Sequence, residues 1–319
     1  MRHRVFITGM GTQLGAAVAG LLEDDDDIEA IVGVDSDPPR LRLRRAEFHR
    51  VDPRDPDRTA KLVHEVGPTV VLHLGVFESG GRWLSPHAER RTRAGTEGLL
   101  RGVTDVGSVE RIVVRSGIEV YGRGRGSVDV PDETAPVRPT STFGRSVLGV
   151  EQMAAAAART AGARYLALRL APVVGPHQPS PLGRYLRMPV VPLPAPRSGA
   201  FTVVHPEDAA RAVAAAAVAR AEGVLNVVAP GSMTPWQAVR LGRRLPLPIV
   251  GPRWGPGWLG VRRLGELLGA PVPDHMVELL RRGRLADGRR AARVLRVRPG
   301  RDARAVVEEL FEWAPPPPR

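Results

Sequence analysis

The sequence predicts an α/β protein with a Rossmann-like, doubly wound parallel sheet and a smaller substrate-binding lobe. Short apolar runs, rich in β-branched residues, alternate with helical stretches through the first half of the chain. Glycines join the first of these runs to the helix that follows it. After Gly175 the composition becomes rich in proline and glycine. A chain of 319 residues that is 43% apolar is long enough for one large domain with a lobe.

The individual elements follow from the periodicity. Residues 5–7, 30–34, 70–74, 111–114 and 165–170 have the continuous apolar pattern of buried parallel strands. Between the first two runs, apolar residues recur at helical spacing. An alanine-rich helix that begins near Ser146 precedes the fifth run. Strand and helix in regular alternation predict parallel β-α-β units.

The composition also divides the chain. We expect residues 1–175 to form a dinucleotide-binding domain, completed by residues 201–230, which contain another apolar run, a helix and a strand. Residues 176–200 and 231–300 are expected to form the lobe, as irregular insertions without a core of their own. Residues 301–319 are expected to form a C-terminal helix and a proline-rich tail.

Several classes of protein are disfavoured. The absence of cysteine excludes disulfides and thiolate chemistry and suits the cytoplasm, and no apolar run is long enough for a membrane span. No histidine and acidic residues show metal-ligand spacing, so we expect no metal. The net charge of +12 comes from scattered arginines, which predicts a charged surface and no nucleic-acid partner. Lys61 is the only lysine, so a mechanism that needs a lysine has one candidate.

The segment from Val5 to Gly15 predicts a phosphate site. Here a strand passes through glycines into a helix, and glycines allow the backbone to approach a pyrophosphate at the helix N-terminus. Asp35 ends the next strand, 20 residues beyond Gly15, where a carboxylate accepts hydrogen bonds from an adenosine ribose. Together these features predict a dinucleotide cofactor.

The sequence leaves the choice of cofactor open between NADP(H) and NAD(H). Asp35 favours NAD(H), because a carboxylate repels a 2′-phosphate. However, four arginines follow closely, and any of them could pair with that phosphate: Arg40, Arg42, Arg44 and Arg45.

Residues 7–15 resemble the TGxxGxxG motif of the extended short-chain dehydrogenase/reductases, the NAD-dependent epimerase/dehydratase family. Thr12 stands at the middle glycine, with Gly11 beside it. Further matches follow in order along the chain: Val51-Asp52, His73-Leu74-Gly75, Val120-Tyr121-Gly122, Arg169 with Val173, Gly175 and Pro176, residues 205–209, Asn226-Val227 and residues 295–301.

The resemblance implies two sets of binding residues. The cofactor would contact Gly9, Gly11, Thr12, Gln13, Leu14, Gly15, Asp35, Ser36, Arg40, Asp52, Pro53, Leu74, Gly75, Val76, Arg115, Pro172 and Val173. The substrate would contact Phe77, Ser116, Gly117, Ile118, Phe143 and Tyr185.

The four catalytic positions of the family are altered. A tyrosine, a lysine four residues later, a serine or threonine, and an asparagine act together in the family. Their places are taken here by Phe143, Val147, Gly117 and Thr92. Ser116, one place early, is a weak candidate for the orienting hydroxyl. The sequence shows no other acid in their place.

Three hypotheses remain. We favour an NAD(P)H-dependent ketoreductase acting on a large aromatic, polyketide-type ketone whose own phenol supplies the proton. Loss of the catalytic set resembles the atypical angucyclinone ketoreductase of the simocyclinone type. The alternative is a non-catalytic dinucleotide-binding protein. A sugar-nucleotide epimerase or dehydratase is the least favoured, because Phe143 cannot deprotonate a hydroxyl. The sequence does not predict an oligomeric state.

Overall fold

The computed structural model describes residues 2–80, 85–195, 198–250, 263 and 272–312. Its strands are β1 (His3–Thr8), β2 (Ile28–Asp35), β3 (Glu47–Arg50), β4 (Val70–His73), β5 (Arg111–Gly117), β6 (Arg164–Leu170), β7 (Val190–Ala195), β8 (Gly223–Val227) and β9 (Leu245–Val250). Seven of them form one parallel sheet in the order β3-β2-β1-β4-β5-β6-β8. The predicted doubly wound parallel sheet is confirmed.

Helices cover both faces of this sheet. They are α1 (Gln13–Glu23), α2 (Pro56–Val66), α3 (Ser85–Val106), α4 (Thr142–Ala161), α5 (Pro181–Leu186), α6 (Pro206–Val218), α7 (Pro235–Leu241), α8 (Asp274–Arg282), α9 (Arg289–Val294) and α10 (Ala303–Phe311). Helix α1 packs against α6, and α3 packs between α2 and α4. The described helices are all too short or too polar to cross a membrane.

The direction of strand order reverses between β1 and β4. Crevices that bind ligands form at such a reversal, outside the carboxyl ends of the parallel strands. The residues that end the three strands here are Thr8, Asp35 and His73. They place the glycine turn and the predicted ribose carboxylate at one edge of the sheet.

The lobe has a hydrophobic core of its own, contrary to expectation. Phe201, Leu280 and Val306 are fully buried in it, and α10 packs there as well. Residues 176–200, expected to be irregular, include α5 and β7, and β7 pairs in parallel with β9. Prolines occupy every second position within each strand. The positions that lack an N–H donor therefore all face one edge of that strand. The predicted C-terminal helix is α10, whereas the tail from residue 313 lies outside the described residues.

Two element boundaries differ from the prediction. Residues 201–204 do not join the main sheet; they make isolated bridges, from Phe201 to Met233 and from Val204 to Val173. Helix α4 begins at Thr142 rather than near Ser146. The Ser141 hydroxyl accepts a hydrogen bond from the Gly144 N–H at 3.1 Å and so caps the helix early.

Candidate active site

The glycine turn connects β1 to α1. Gly9 has a φ of +79°, and a Cβ there would lie 2.7 Å from the backbone nitrogen of Gly75. A Cβ on Gly15 would lie 2.1 Å from the Gly9 carbonyl oxygen. Thr12, at the middle glycine position of the motif, caps α1: its hydroxyl accepts from the Gly15 N–H at 3.0 Å and donates to the Gly9 carbonyl at 2.8 Å. The departure from glycine therefore preserves the turn.

The N-terminus of α1 can hold an anion. Gln13 and Leu14 are its first two residues, so their N–H groups have no partner within the helix. These N–H groups and the helix dipole favour a phosphate group at this end of the helix.

A cleft of about 350 Å³ opens at the same edge of the sheet. Among the residues predicted for the site, it brings together Gly9, Asp35, Pro53, Gly75 and Phe77. It is also lined by residues that sequence reasoning did not assign to the site: Thr8, Val34, Val51, Thr59, His73 and Gly95. Three of these six, Thr8, Val51 and His73, end or directly follow a strand, which is the signal that could have identified them.

Asp35 is buried and held by its neighbours. Its carboxylate accepts hydrogen bonds from the Ser36 N–H at 2.6 Å and the Gly11 N–H at 3.1 Å. Burial raises the pKa of Asp35, and these bonds offset part of that rise. Gly11 has no room for a side chain, because a Cβ would lie 1.9 Å from the Asp37 carbonyl oxygen. The predicted ribose acceptor is thus fixed beside the glycine turn.

The arginines after β2 fall into two groups. The backbone N–H groups of Arg44 and Arg45 donate to the Glu23 carboxylate at 2.7 and 2.6 Å. Glu23 ends α1, about 16 Å along the helix from the glycine turn. This tether takes both away from the ribose position, which leaves Arg40 and Arg42 as candidates to hold a 2′-phosphate.

His73 has a structural part in the cleft. Its Nδ1 accepts from the Thr8 hydroxyl at 2.6 Å, and its Nε2 donates to the Thr96 hydroxyl at 2.8 Å. We assign this tautomer because the Thr96 hydroxyl itself donates to the Thr92 carbonyl oxygen. Burial lowers the pKa of His73 to about 4, so the ring is neutral and joins the ends of β1 and β4 to α3.

Several other predicted cofactor residues do not line the cleft. Asp52 forms an ion pair with Arg54 at 2.6 Å, and hydrogen bonding to Arg54 lowers the pKa of Asp52 to about 2. Arg115 donates to the Val76 carbonyl oxygen at 3.1 Å. At the end of β6, the Pro172 carbonyl oxygen accepts from Val204, which also bridges Val173. The turn after β4 includes Leu74.

The residues at the four positions that the resemblance assigns to catalysis are Phe143, Val147, Thr92 and Gly117; the first three are buried, and Gly117 has no side chain. Phe143 is 8% exposed in the first turn of α4, and Val147 is fully buried one turn later. The Thr92 hydroxyl accepts from the Phe77 N–H at 2.9 Å. Gly117 ends β5, and a Cβ there would lie 2.3 Å from Glu119 Oε2. The carboxylate of Glu119 therefore occupies the space that a side chain on Gly117 would need.

Ser116 is committed to a buried network. Its hydroxyl donates to Glu151 Oε1 at 2.6 Å, and Arg169 binds both oxygens of Glu151 at 2.8 Å. Arg169 also donates to the Tyr121 hydroxyl at 3.0 Å. These contacts favour a structural role for Ser116 over the orienting role that the sequence suggested.

Tyr185 and Ile118 are also buried. The Tyr185 hydroxyl donates to the Pro192 carbonyl oxygen within the lobe, and burial raises its pKa. Tyr185 lines a second cavity, of about 210 Å³, beside Gly80 and Pro273. Ile118 is 1% exposed and starts a single 3₁₀ turn that extends to Tyr121. Neither Tyr185 nor Ile118 lines the cofactor cleft.

A cluster of buried charges lies near Phe143, and sequence reasoning did not find it. Arg284 is 2% exposed and pairs with Glu119 and Glu278, each at 2.8 Å. His275 Nε2 lies 3.0 Å from Glu78 Oε1, and its ring centroid lies 5.1 Å from that of Phe143. No sequence signal joins these residues, because Glu78 and His275 are 197 positions apart.

Comparison with known proteins then identifies the family. Residues 5–228 match the NAD dependent epimerase/dehydratase family. The chain belongs to this family. Membership indicates an enzyme of the oxidoreductase type, and the cofactor is NAD(H). The glycine turn, the open N-terminus of α1 and the fixed Asp35 carboxylate fit such a dinucleotide.

Relatives of this family member include the uncharacterized protein Rv0501 of Mycobacterium tuberculosis strain H37Rv and the uncharacterized protein Mb0513 of Mycobacterium bovis. Each is 30% identical over 326 residues, which cover 97% of this chain and 82% of the relative.

Solved structures share the fold. MoeE5, in complex with UDP-glucuronic acid and NAD, is 24% identical with a TM-score of 0.73, over 97% of this chain and 98% of that one. The UDP-glucose 4-epimerase of Thermotoga maritima, with UDP-glucose, is 21% identical with a TM-score of 0.72 over the same shares. The UDP-glucose 4-epimerase of Stenotrophomonas maltophila, with bound NAD, is 22% identical with a TM-score of 0.73, over 98% of both chains.

Proposed function

We propose that this family member is an NAD(H)-dependent ketoreductase that acts on a large aromatic hydroxyketone. The observation that carries the proposal is the position of Phe143, buried in the first turn of α4 at the place that the resemblance assigns to the catalytic tyrosine. Val147, where the lysine would stand, is fully buried and apolar.

The altered positions favour carbonyl reduction over alcohol oxidation. Sugar-nucleotide epimerisation and dehydration begin when a base removes the proton from an unactivated hydroxyl, and Phe143 has no group that accepts one. Reduction of a ketone begins with hydride transfer, and loss of a general acid slows that step by about 10²–10⁴-fold without preventing it. A site that retains orientation and cofactor chemistry therefore still supports the reduction.

The described residues supply binding and orientation. The bound cofactor supplies hydride from its nicotinamide. The amides at the start of α1 would hold the pyrophosphate, and the Asp35 carboxylate would accept hydrogen bonds from the ribose hydroxyls. Gly75 lines the cleft without a side chain that would narrow it. Phe77, held by Thr92 through its backbone, offers an apolar wall for an aromatic substrate.

The substrate proposal is tested with 8-hydroxy-1-tetralone, whose phenol forms an internal hydrogen bond to its carbonyl. Nicotinamide fluorescence measures NADH binding, and loss of NADH absorbance measures reduction. We expect both with the tetralone, and neither epimerisation nor dehydration of UDP-glucose. Binding of NADH without reduction of any aromatic ketone would favour the non-catalytic alternative. Turnover of UDP-glucose would contradict the proposal.

The source of the proton has two candidates. The sequence alone leaves this task to the substrate phenol, which would transfer its proton to the carbonyl oxygen as hydride arrives and leave a phenolate. The structure adds a protein group beside Phe143, the imidazole of His275.

A further inference from the structure

A buried histidine packs against the residue that replaces the family's tyrosine. His275 is 3% exposed, and its ring is tilted by 42° against that of Phe143, with 5.1 Å between the centroids. The Asp274 carboxylate accepts hydrogen bonds from the backbone N–H of Thr142 at 2.6 Å and from the backbone N–H of His275 at 2.8 Å. The bond from Thr142 joins the start of α8 to the start of α4. The imidazole is thus held against the side chain of Phe143.

The two nitrogens of His275 have different surroundings. Nε2 lies 3.0 Å from the Glu78 carboxylate, whose side chain is 25% exposed. Nδ1 is buried and has no hydrogen-bond partner; the nearest carboxylate oxygen, on Asp274, is 3.8 Å away. A carboxylate that holds one nitrogen fixes the orientation of the ring and leaves the other nitrogen for chemistry.

We infer that His275 is the general acid of this site and donates the Nδ1 proton to the carbonyl oxygen of the substrate. The inference rests on the proposed ketone reduction. Hydride adds to the carbonyl carbon, the carbon–oxygen π bond becomes the lone pair that takes the Nδ1 proton, and the products are an alcohol, NAD⁺ and neutral His275. Nε2 keeps its own proton, which it donates to the Glu78 carboxylate, so the ring becomes an acid again when Nδ1 takes a proton from solvent after the alcohol leaves. No further reductant or oxidant is needed.

The charges around His275 keep the ring protonated. Burial lowers its pKa, but the neighbouring carboxylates of Asp274 and Glu78 and the negative charge of Glu119 raise it more, to about 9. Cations also face this cluster. Arg284 pairs with Glu119 and Glu278, and Arg184 donates to the Gly80 carbonyl. Arg115 donates to the Val76 carbonyl and also lies 4.0 Å from Glu78 Oε2. An imidazolium at neutral pH is the form that an acid requires.

The test compares His275→Gln with wild type on two substrates, 8-hydroxy-1-tetralone and its O-methylated twin. Glutamine retains a polar group that reaches Glu78 but has no equivalent of Nδ1, so a merely structural role would survive the change. The matched control is His205→Asn, since His205 is another buried histidine and caps α6 with a side-chain bond that asparagine also makes. We measure kcat, KM and NADH affinity from pH 6 to 10.

If His275 is the acid, wild type reduces both compounds. His275→Gln then loses kcat about 10²–10⁴-fold on each, while KM and NADH affinity change less than about twofold. The kcat of wild type should fall as pH rises through about 9, and the variant should lack that decline.

Other outcomes overturn the inference in distinguishable ways. If wild type reduces only the phenol and His275→Gln keeps that activity, the substrate is the acid and His275 is not. If the ring proton of His275, followed by nitrogen-15 NMR, is lost below pH 7, the inference fails whatever the rates. If wild type binds NADH but reduces neither compound, the proposed function fails and the inference falls with it.

Discussion

The change Gly9→Ala probes the cofactor site directly. A left-handed backbone costs an ordinary residue about 1–2 kcal/mol. The added Cβ would lie 2.7 Å from the nitrogen of Gly75 and 2.7 Å from the carbonyl carbon of Leu74, whereas ordinary contact begins at 3.4 Å. The backbone must therefore retreat by roughly 0.7 Å, and we expect the free energy of unfolding to fall by about 2–3 kcal/mol. If the shift also breaks one charge-assisted hydrogen bond to the pyrophosphate, the binding free energy of NADH falls by about 1.5–3 kcal/mol. This corresponds to an affinity for NADH that is about 10- to 100-fold weaker.

Urea unfolding measures the stability, and nicotinamide fluorescence measures the affinity for NADH. Gly149→Ala is the matched control, because Gly149 lies within α4 with nothing within 4 Å of its added Cβ. The control should gain up to about 1 kcal/mol in stability and bind NADH as wild type does. Gly9→Val, with a larger side chain, should abolish binding. Unchanged NADH affinity in Gly9→Ala would refute the placement of the pyrophosphate at this turn.

Three further predictions follow from the site. If the protein accepts NADPH, Arg40→Ala should weaken NADPH binding more than NADH binding. Arg44→Ala should change neither affinity. An equal loss of NADPH affinity in the two variants would contradict the assignment of the 2′-phosphate to Arg40. Phe143→Tyr should not produce general ketoreductase activity in NADH assays, because without a lysine at Val147 the phenol retains a pKa near 10 or above; a large gain would contradict our account. His275 has a folded-state pKa of about 9 against 6.5 in the unfolded chain, so its stabilisation is full below pH 6.5 and is lost as pH rises through 9; urea unfolding of His275→Gln should show less of this loss, and an identical pH profile would refute it.

The main sheet could be predicted because buried parallel strands are continuous apolar runs. The glycine turn and Asp35 could be predicted because both depend on local backbone geometry next to a strand. The lobe was underestimated, because the prolines of β7 and β9 obscured strands that pair only with each other. The sequence suggested that the Ser116 hydroxyl is free to orient a substrate. No local pattern indicates that Glu151 Oε1 lies 2.6 Å from this hydroxyl.

The charged cluster could not be predicted for a different physical reason. Arginine is normally exposed, and a buried arginine such as Arg284 is indistinguishable in sequence from the many at the surface. Its partners Glu119 and Glu278 come from a turn after β5 and from α8, so only the fold brings them together. The candidate acid belongs to the same cluster, so the sequence predicted altered catalytic positions without indicating that His275 lies beside one of them.

The uncharged residues Phe143 and Val147 are linked to this cluster through the balance of buried charge. Val147 is fully buried, so a lysine in its place would need a carboxylate partner. Without one, the buried cation would lower the free energy of unfolding by roughly several kcal/mol. The carboxylates of the cluster are already engaged, Glu119 by Arg284 and Glu78 by His275. A tyrosine–lysine pair would fit this fold only if the existing cations were removed with it. Restoring the family's residues alone should therefore lower stability without restoring activity, because the fold has placed its balanced charges around His275 instead.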